Sequence, residues 1–533
     1  MKLNTIKKAA VCFSLLSMTV SCTGDFDEIN TNNAGATDEI LAQDFGNINA
    51  PIKVMFNNVW NHDPIWSYQI QQNLQADLWS GYAAVPTGFA GGSNNSTYNL
   101  IDGWNGWAWG KAYNEVMANA LRVENLTKKK GLYNQIFAMS LVLKVQAMHR
   151  ITDTYGPIIY SKFSSNEVVK EYDSQEEVYK QMFAELDEAV AELSKSADSG
   201  AKSILVSSDK SSYGGDYSKW TKYANSLRLR LAMRIVKKNP TLAKAEAEKA
   251  VSQKYGVFKS QEDTFSYDSG FTTGIYGCSN VYGDVNMSAD MESILVGYKD
   301  PRLAVFFDTS TQYPGQYKGI RNGIEISGEQ AIGKDLRTNF SRVGAVAKTS
   351  KYVWMSYAEV CFLRAEGALR GWNMGGTSQS LYEEGIAASF AQHGVAGAAG
   401  YISNNTNLPI DYVDPVNAVN NGAAVNTVTI AWDVAASNEV KLQKIITQKW
   451  IAGFPEGQEA WSEYRRTGYP KLLPVVVNKS AGKITTQFGV RRVNFVQSEI
   501  AGNAGGVATG LAKLGGPDTG GTRLWWDTTG PNF

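Results

Sequence analysis

The chain has 533 residues, enough to bury a large core, and its 51 basic residues balance 51 acidic ones. Loss of a leader carrying Lys2, Lys7 and Lys8 and no acid would leave 48 basic residues, a charge of −3. Such a balance excludes an electrostatic grip on nucleic acid, while 14 Trp and 26 Tyr are more than a core alone calls for.

Lys2, Lys7 and Lys8 form a basic start, and Ala9 to Val20 an apolar run of 12 residues. That is the length of a secretory leader, too short to span a bilayer. Thr19-Val20-Ser21-Cys22 ends it. Small residues before a cysteine read as a lipobox with Cys22 acylated, although Thr stands where Leu is preferred; the plainer reading is ordinary cleavage near Ser21. Residues 1–21 thus read as a signal peptide, a lipoprotein signal peptide on the lipobox reading, 22–45 as a polar, Asn-rich tether, and 46–533 as one domain. Of the remaining cysteines, Cys278 and Cys361, the second lies on an apolar helix face, so free buried thiols are expected over a bridge.

Ile48 to Leu78 has helical pattern, with Pro51 and Pro64 marking breaks. Residues 80–106 change to a loop rich in Gly, Asn and Ser with aromatics interspersed. Helices resume over Trp107–Leu126 and Leu132–Arg150. Ser174 and Glu177 make a capping box before Val178, Met182, Leu186, Ala189 and Leu193. Trp220, Tyr223, Leu227, Leu231 and Ile235 stripe a further helix that stops before Pro240. Residues 256–345 hold no sustained periodicity and read as the largest insertion, with short strands. Tyr357, Cys361, Ala365, Ala368 and Trp372 mark the next helix, and Tyr382–Phe390 its partner. Residues 394–437 are again loop.

From Lys441 to Pro470 runs a helical hairpin. Leu442, Ile445, Ile446 and Trp450 stripe its first limb, Gly453 and Pro455 end it, and Glu459–Tyr464 carries Trp461. Arg465 and Arg466 close it, and they, like Arg228, Arg230 and Arg234, are expected to bind internal carboxylates or helix carbonyls. Trp66, Trp107, Trp109, Trp354, Trp372, Trp450 and Trp461 sit in helical pattern and are assigned to core. Helix pairs near 107–155, 175–238, 350–393 and 438–468 suggest a degenerate helical repeat, with no fixed period of about 34.

No catalytic constellation emerges. His62, His149 and His393 have no metal-ligand spacing, and no GxSxG, P-loop or strand–GxGxxG–helix is present. Gly274 to Gly283 reads as turn chemistry. A glycosidase needs two carboxylates about 5–9.5 Å apart, and nothing selects such a pair. No cofactor is expected, and no motif calls for Ca²⁺. What remains is loop aromatics beside amides. Sugar rings offer C–H faces that stack on Trp and Tyr, and hydroxyls that need amides and carboxylates. Trp79, Tyr82, Asn95, Tyr98 and Trp104, with Phe89 and Asn94, combine both kinds in one segment. Tyr276 and Tyr282, with Tyr267, Phe271, Asn280 and Asn286, do so in another. For each ring the bland alternative is a plug holding its loop to the scaffold.

The segment QKWIAGFPEGQEAWSEYRRTGYPKL closely resembles the SusD/RagB-like surface lipoproteins of gut-type Bacteroidetes. EEVYKQMFAELDEAVAEL, GGDYSKWTKYANSLRLRLAMRI, DPRLAVFF and YAEVCFLRAEGALRGW agree in the family's order. The resemblance implies a mostly α fold, with four tetratricopeptide-like helix pairs packed against an irregular, loop-rich half. It implies an aromatic platform built from the early loop and the middle insertion. It further implies a lipid-anchored, outward-facing outer-membrane protein that captures oligosaccharide and delivers it to a SusC-like TonB-dependent transporter. The acidic Asp25, Asp27 and Glu28 after Cys22 resemble the surface-export signal of these bacteria. The alternatives are a peptide-binding lid of the RagB type and a structural lid without its own ligand.

Overall fold

A computed structural model describes residues 45–60, 63–201, 203–205, 209–326 and 337–533. The leader, the tether with Cys22, and His62 lie outside the described residues. The chain divides into two units, 1–50 and 51–533. In the first, Gly46 opens helix α1 (Gly46–Val59), which continues through Pro51 where the sequence suggests a break.

The long helices of the second unit are α2 (Asn134–Tyr155), α3 (Gln175–Asp198), α4 (Tyr217–Arg234), α5 (Pro240–Ser252), α6 (Tyr357–Leu369), α7 (Ser378–Gln392), α8 (Asn438–Gly453), α9 (Gly457–Thr467) and α10 (Ala504–Leu514). Side-chain caps start most of them. Ser174 and Glu177 form the expected capping box on α3; Asp216, Asn239, Ser356, Thr377 and Ser437 accept from the first free N–H groups of α4 to α8. Pro240 opens α5 rather than merely ending α4, since its missing N–H costs nothing at a first helical position. Trp372 lies beyond the end of α6 and is half-buried, not core. Sequence neighbours pack as pairs: α2 on α3, α3 on α4, α4 on α5, and α6 on both α7 and α8.

Two small antiparallel sheets accompany the helices. β1 (Ala83–Ala84) pairs with β3 (Asn286–Met287), and β2 (Phe265–Asp268) with β4 (Lys351–Met355). β2 brings Phe265 between Tyr223 and Trp354, with ring centroids 4.1 and 5.0 Å away. The middle insertion also holds short helical segments, Gly274–Tyr276, Gly277–Tyr282 and Ala289–Met291 among them. Local turns without a long stripe leave no periodicity to read in sequence. Cys278 and Cys361 are free and buried.

Charge holds the helices together internally. Arg230 is bidentate to Glu359 at 2.8 Å through Nε and Nη2. Arg234 binds Glu463 at 2.6 Å and Glu459 at 2.5 Å. Arg466 spans Glu366 at 2.7 and 2.6 Å and Glu463 at 2.7 Å, and Lys449 reaches Glu459 at 3.0 Å and Glu463 at 3.2 Å. Arg465 lies over the Trp461 ring at 3.3 Å and donates to the Asp153 and Arg491 carbonyls. Removing one member of such a set strands a buried charge at about 3–5 kcal/mol. Gly457 fixes the approach of α9: a Cβ there would stand 2.2 Å from Asp77 Oδ1 and 2.8 Å from Asp77 Cα.

Candidate functional site

The structure separates the sequence-predicted site residues into two groups. Trp79, Tyr82 and Asn95 are buried, which corrects the expectation that they line an open platform. Trp79 Nε1 donates to the Asn95 carbonyl at 3.1 Å and its ring sits 4.9 Å from Trp461. Tyr82 donates its hydroxyl to the Trp450 carbonyl. Asn95 Oδ1 accepts from Ile101 N–H at 2.9 Å. All three spend their polar atoms fastening the 80–106 loop or holding it to the α8–α9 hairpin. Tyr98 is half-buried in a left-handed backbone position with φ +62°, where burial pushes its hydroxyl pKa up.

Trp104, Tyr276 and Tyr282 reach the surface. Trp104 is half-buried, edge-on to Phe89 at 6.0 Å; Tyr276 is half-buried and Tyr282 exposed. Two glycines explain how the insertion comes to rest there. A Cβ on Gly274 would stand 2.2 Å from Tyr68 Cγ, and one on Gly277 2.7 Å from Ile65 Cγ1. Gly274–Tyr282 therefore lies directly on the four-residue helix Ile65–Tyr68. That helix leaves Trp66 44% exposed, its ring 4.9 Å from Trp107, whose Nε1 donates to Ser67 Oγ at 2.6 Å. Trp66 is thus a surface ring rather than the core expected of it, because so short a helix has little to bury it, and Trp107, also expected in the core, is half-buried.

Asp284 ties these segments together. Its carboxylate accepts from Gln69 Nε2 at 3.1 Å and Thr87 Oγ1 at 3.2 Å, and Arg337 Nη2 lies 3.5 Å away. The other Arg337 terminal nitrogen donates to the Tyr282 carbonyl at 3.2 Å. Gln75, from the helical stretch Gln69–Asp77, donates to the Ile70 and Trp104 carbonyls. Beneath, Asp77 accepts from Tyr68, Gln72 and Asn73 at 2.7–3.3 Å; burial nevertheless raises its pKa to about 7, against the lowering effect of those bonds. The result is a surface of Trp66, Trp107, Tyr276 and Tyr282 beside a carboxylate, amides and a guanidinium. It can stack flat faces and hydrogen-bond hydroxyls, and it contains no nucleophile–base pair. Asp284 and Trp66 escaped sequence reading; the isolating Pro64 was the one available signal for Trp66.

Among the described residues, no group of three or more His, Cys, Asp or Glu side chains is arranged to hold a metal ion. No helix among them is long and apolar enough to cross a membrane.

Comparison with known proteins accounts for this arrangement. Residues 28–527 match the SusD-like family, described as SusD and RagB outer membrane lipoprotein. No curated protein matches. Among solved structures, a chitin-binding SusD homologue from Flavobacterium johnsoniae is 60% identical, covering 91% of this chain and 100% of its own, with a TM-score of 0.89. A SusD homologue from Bacteroides vulgatus is 36% identical over 91% of this chain and 98% of its own, TM-score 0.85. A chitin-binding protein is 25% identical over 90% of this chain and 99% of its own, TM-score 0.71. The mostly helical fold with few short strands is that of these relatives, and the family is one of binding proteins, not enzymes. The chain belongs to the SusD-like family of outer-membrane lipoproteins.

Proposed function

We propose that this protein is a cell-surface lipoprotein that captures chitin-type oligosaccharides and passes them to a SusC-like TonB-dependent transporter. The observation that carries the reading is the aromatic surface of exposed Trp66 and Tyr282 and half-buried Trp107 and Tyr276 beside the polar cluster at Asp284. N-acetylglucosamine units are uncharged, so binding must come from ring stacking and hydrogen bonds; the near-neutral chain offers no long-range pull to replace them. The chitin-binding SusD homologue from Flavobacterium johnsoniae, 60% identical, supports that ligand class for this chain.

Capture here involves no bond breaking. Retention has to be modest, because release into the transporter follows binding, and every tenfold in affinity is ~1.4 kcal/mol to be given back. Acylation at Cys22 holds the protein at the outer leaflet, each buried methylene contributing about 0.8 kcal/mol. In cells, Cys22→Ser is expected to move the protein from the membrane to the soluble fraction; unchanged fractionation would contradict the anchor.

Isothermal titration against N-acetylglucosamine hexamer, cellohexaose and mixed peptides tests the ligand class. Heat with the hexamer is expected. Heat with peptides alone would replace the reading by peptide capture, and heat with nothing would leave a structural lid.

A further inference from the structure

A deep cavity of about 390 Å³ opens between β4 and the α8–α9 hairpin. Trp60, Tyr352, Trp354, Trp450 and Phe454 wall it, and Glu359, Lys449, Glu459 and Glu463 form part of its lining. Ala345 and Lys351, both exposed, mark its mouth. Protein interiors leave few voids much larger than a water molecule, and this volume lies within the ~300–1,000 Å³ of ligand pockets.

Charge and chemistry narrow the occupant. Every carboxylate in the lining already has a cation: Arg230 at Glu359, Arg234 and Lys449 at Glu459 and Glu463, and Arg150 at Glu456 at 2.6 Å. Burial lowers the pKa of His393, also in the lining, to about 4, so it is neutral. No buried charge is left over for an ionic ligand, and Lys351 stands exposed at the mouth. Aromatic walls beside carboxylate oxygens, which keep further lone pairs, suit a molecule with an apolar ring face and hydroxyl edges. The lining is tied to the segment that leads into Tyr276, since Tyr352 donates its hydroxyl to the Phe271 carbonyl at 3.2 Å and Thr273 Oγ1 donates to the Ala347 carbonyl.

We propose that this cavity is a second ligand site, taking one or two rings of an uncharged saccharide. The proposal rests on the glycan-binding reading above. The occupant is either the end of the chain held on the aromatic surface or a separate short saccharide.

The test is isothermal titration of the full chain with N-acetylglucosamine disaccharide and hexamer. Ala345→Trp and, as a second block at the same rim, Lys351→Trp close the mouth from exposed positions, with melting temperature as the folding control. Trp66→Ala removes a surface ring instead. The expected result is at least tenfold weaker disaccharide binding in both mouth variants, and weaker hexamer binding in Trp66→Ala. Hexamer affinity falling with the mouth variants identifies the occupant as a chain end; hexamer affinity unchanged identifies a separate saccharide. Disaccharide binding indifferent to both mouth variants would overturn the cavity site. So would heat with the hexamer and none with the disaccharide, which leaves the glycan reading standing. No heat with either ligand in the unmodified protein would remove the glycan reading and this proposal together.

Discussion

The helical scaffold and the loop surface at Asp284 use the same residue types to opposite ends. In the scaffold Trp461 is sandwiched between Arg465 at 3.3 Å and Trp79, and Glu463 is shared by Arg234, Lys449 and Arg466. On the loop surface Trp66 is 44% exposed, and Asp284 is held only at 3.1–3.5 Å by Gln69, Thr87 and Arg337. Where each buried charge is matched by another, as at Glu463 and Arg466, the side chains specify one packing. Where rings lie open beside adjustable polar groups, a stiff base can present them without fixing what they bind.

The comparison breaks most visibly at Arg466. Arg466→Ala leaves Glu366 to Arg370 alone and takes one of three cations from Glu463, and a loss of about 3 kcal/mol is expected in urea unfolding. Saccharide affinity of the folded fraction should not change. Stability that does not move would mean the network is not a closed set.

Next in size is Gly457→Ala. The added Cβ meets backbone atoms of Asp77, which cannot swing aside, so a loss of about 1–3 kcal/mol is expected by overpacking. An unaffected melting temperature would contradict the close contact of α9 with the Gln69–Asp77 stretch.

Two acids sharpen the contrast through pH, with a smaller effect. Burial raises Asp77 from 3.8 to about 7. Between those values the folded state holds a proton the unfolded chain has lost, so stability falls as pH rises from about 4 to about 7. At Glu459 burial is outweighed by Arg234 and Lys449, which hold it at about 2; its contribution is present above the ordinary carboxylate range and lost as pH falls towards 2. Asp77→Asn should therefore flatten the stability profile between pH 4 and 7 and leave the acid limb below pH 4 in place. An unchanged slope between pH 4 and 7 would refute the buried, protonated Asp77.

Much of the scaffold was legible because its signals are local. Ser174 with Glu177, the stripe through Trp450 and the paired Arg465 and Arg466 each specify a neighbour within a few residues or a buried role. The surface was legible only by region. Tyr276 and Tyr282 reach solvent as their loop suggests, but Trp79 and Tyr82, in an equally loop-like segment, are anchored by carbonyls of Asn95 and Trp450. The partner of Tyr82 lies 368 residues away in sequence, and no local pattern encodes such a bond. Trp66 errs the other way: helical spacing suggests core, yet its helix has only four residues. Asp284 gathers groups from three separate segments and carries no pattern at all.

The most direct test is the affinity of the double variant Trp66→Ala/Tyr282→Ala for N-acetylglucosamine hexamer, measured by titration calorimetry alongside melting temperature. The account predicts binding at least tenfold weaker, about 1.4 kcal/mol, with a melting temperature lowered only slightly, because Tyr282 is exposed and Trp66 gives up chiefly its contact with Trp107. Affinity equal to that of the unmodified protein would contradict it.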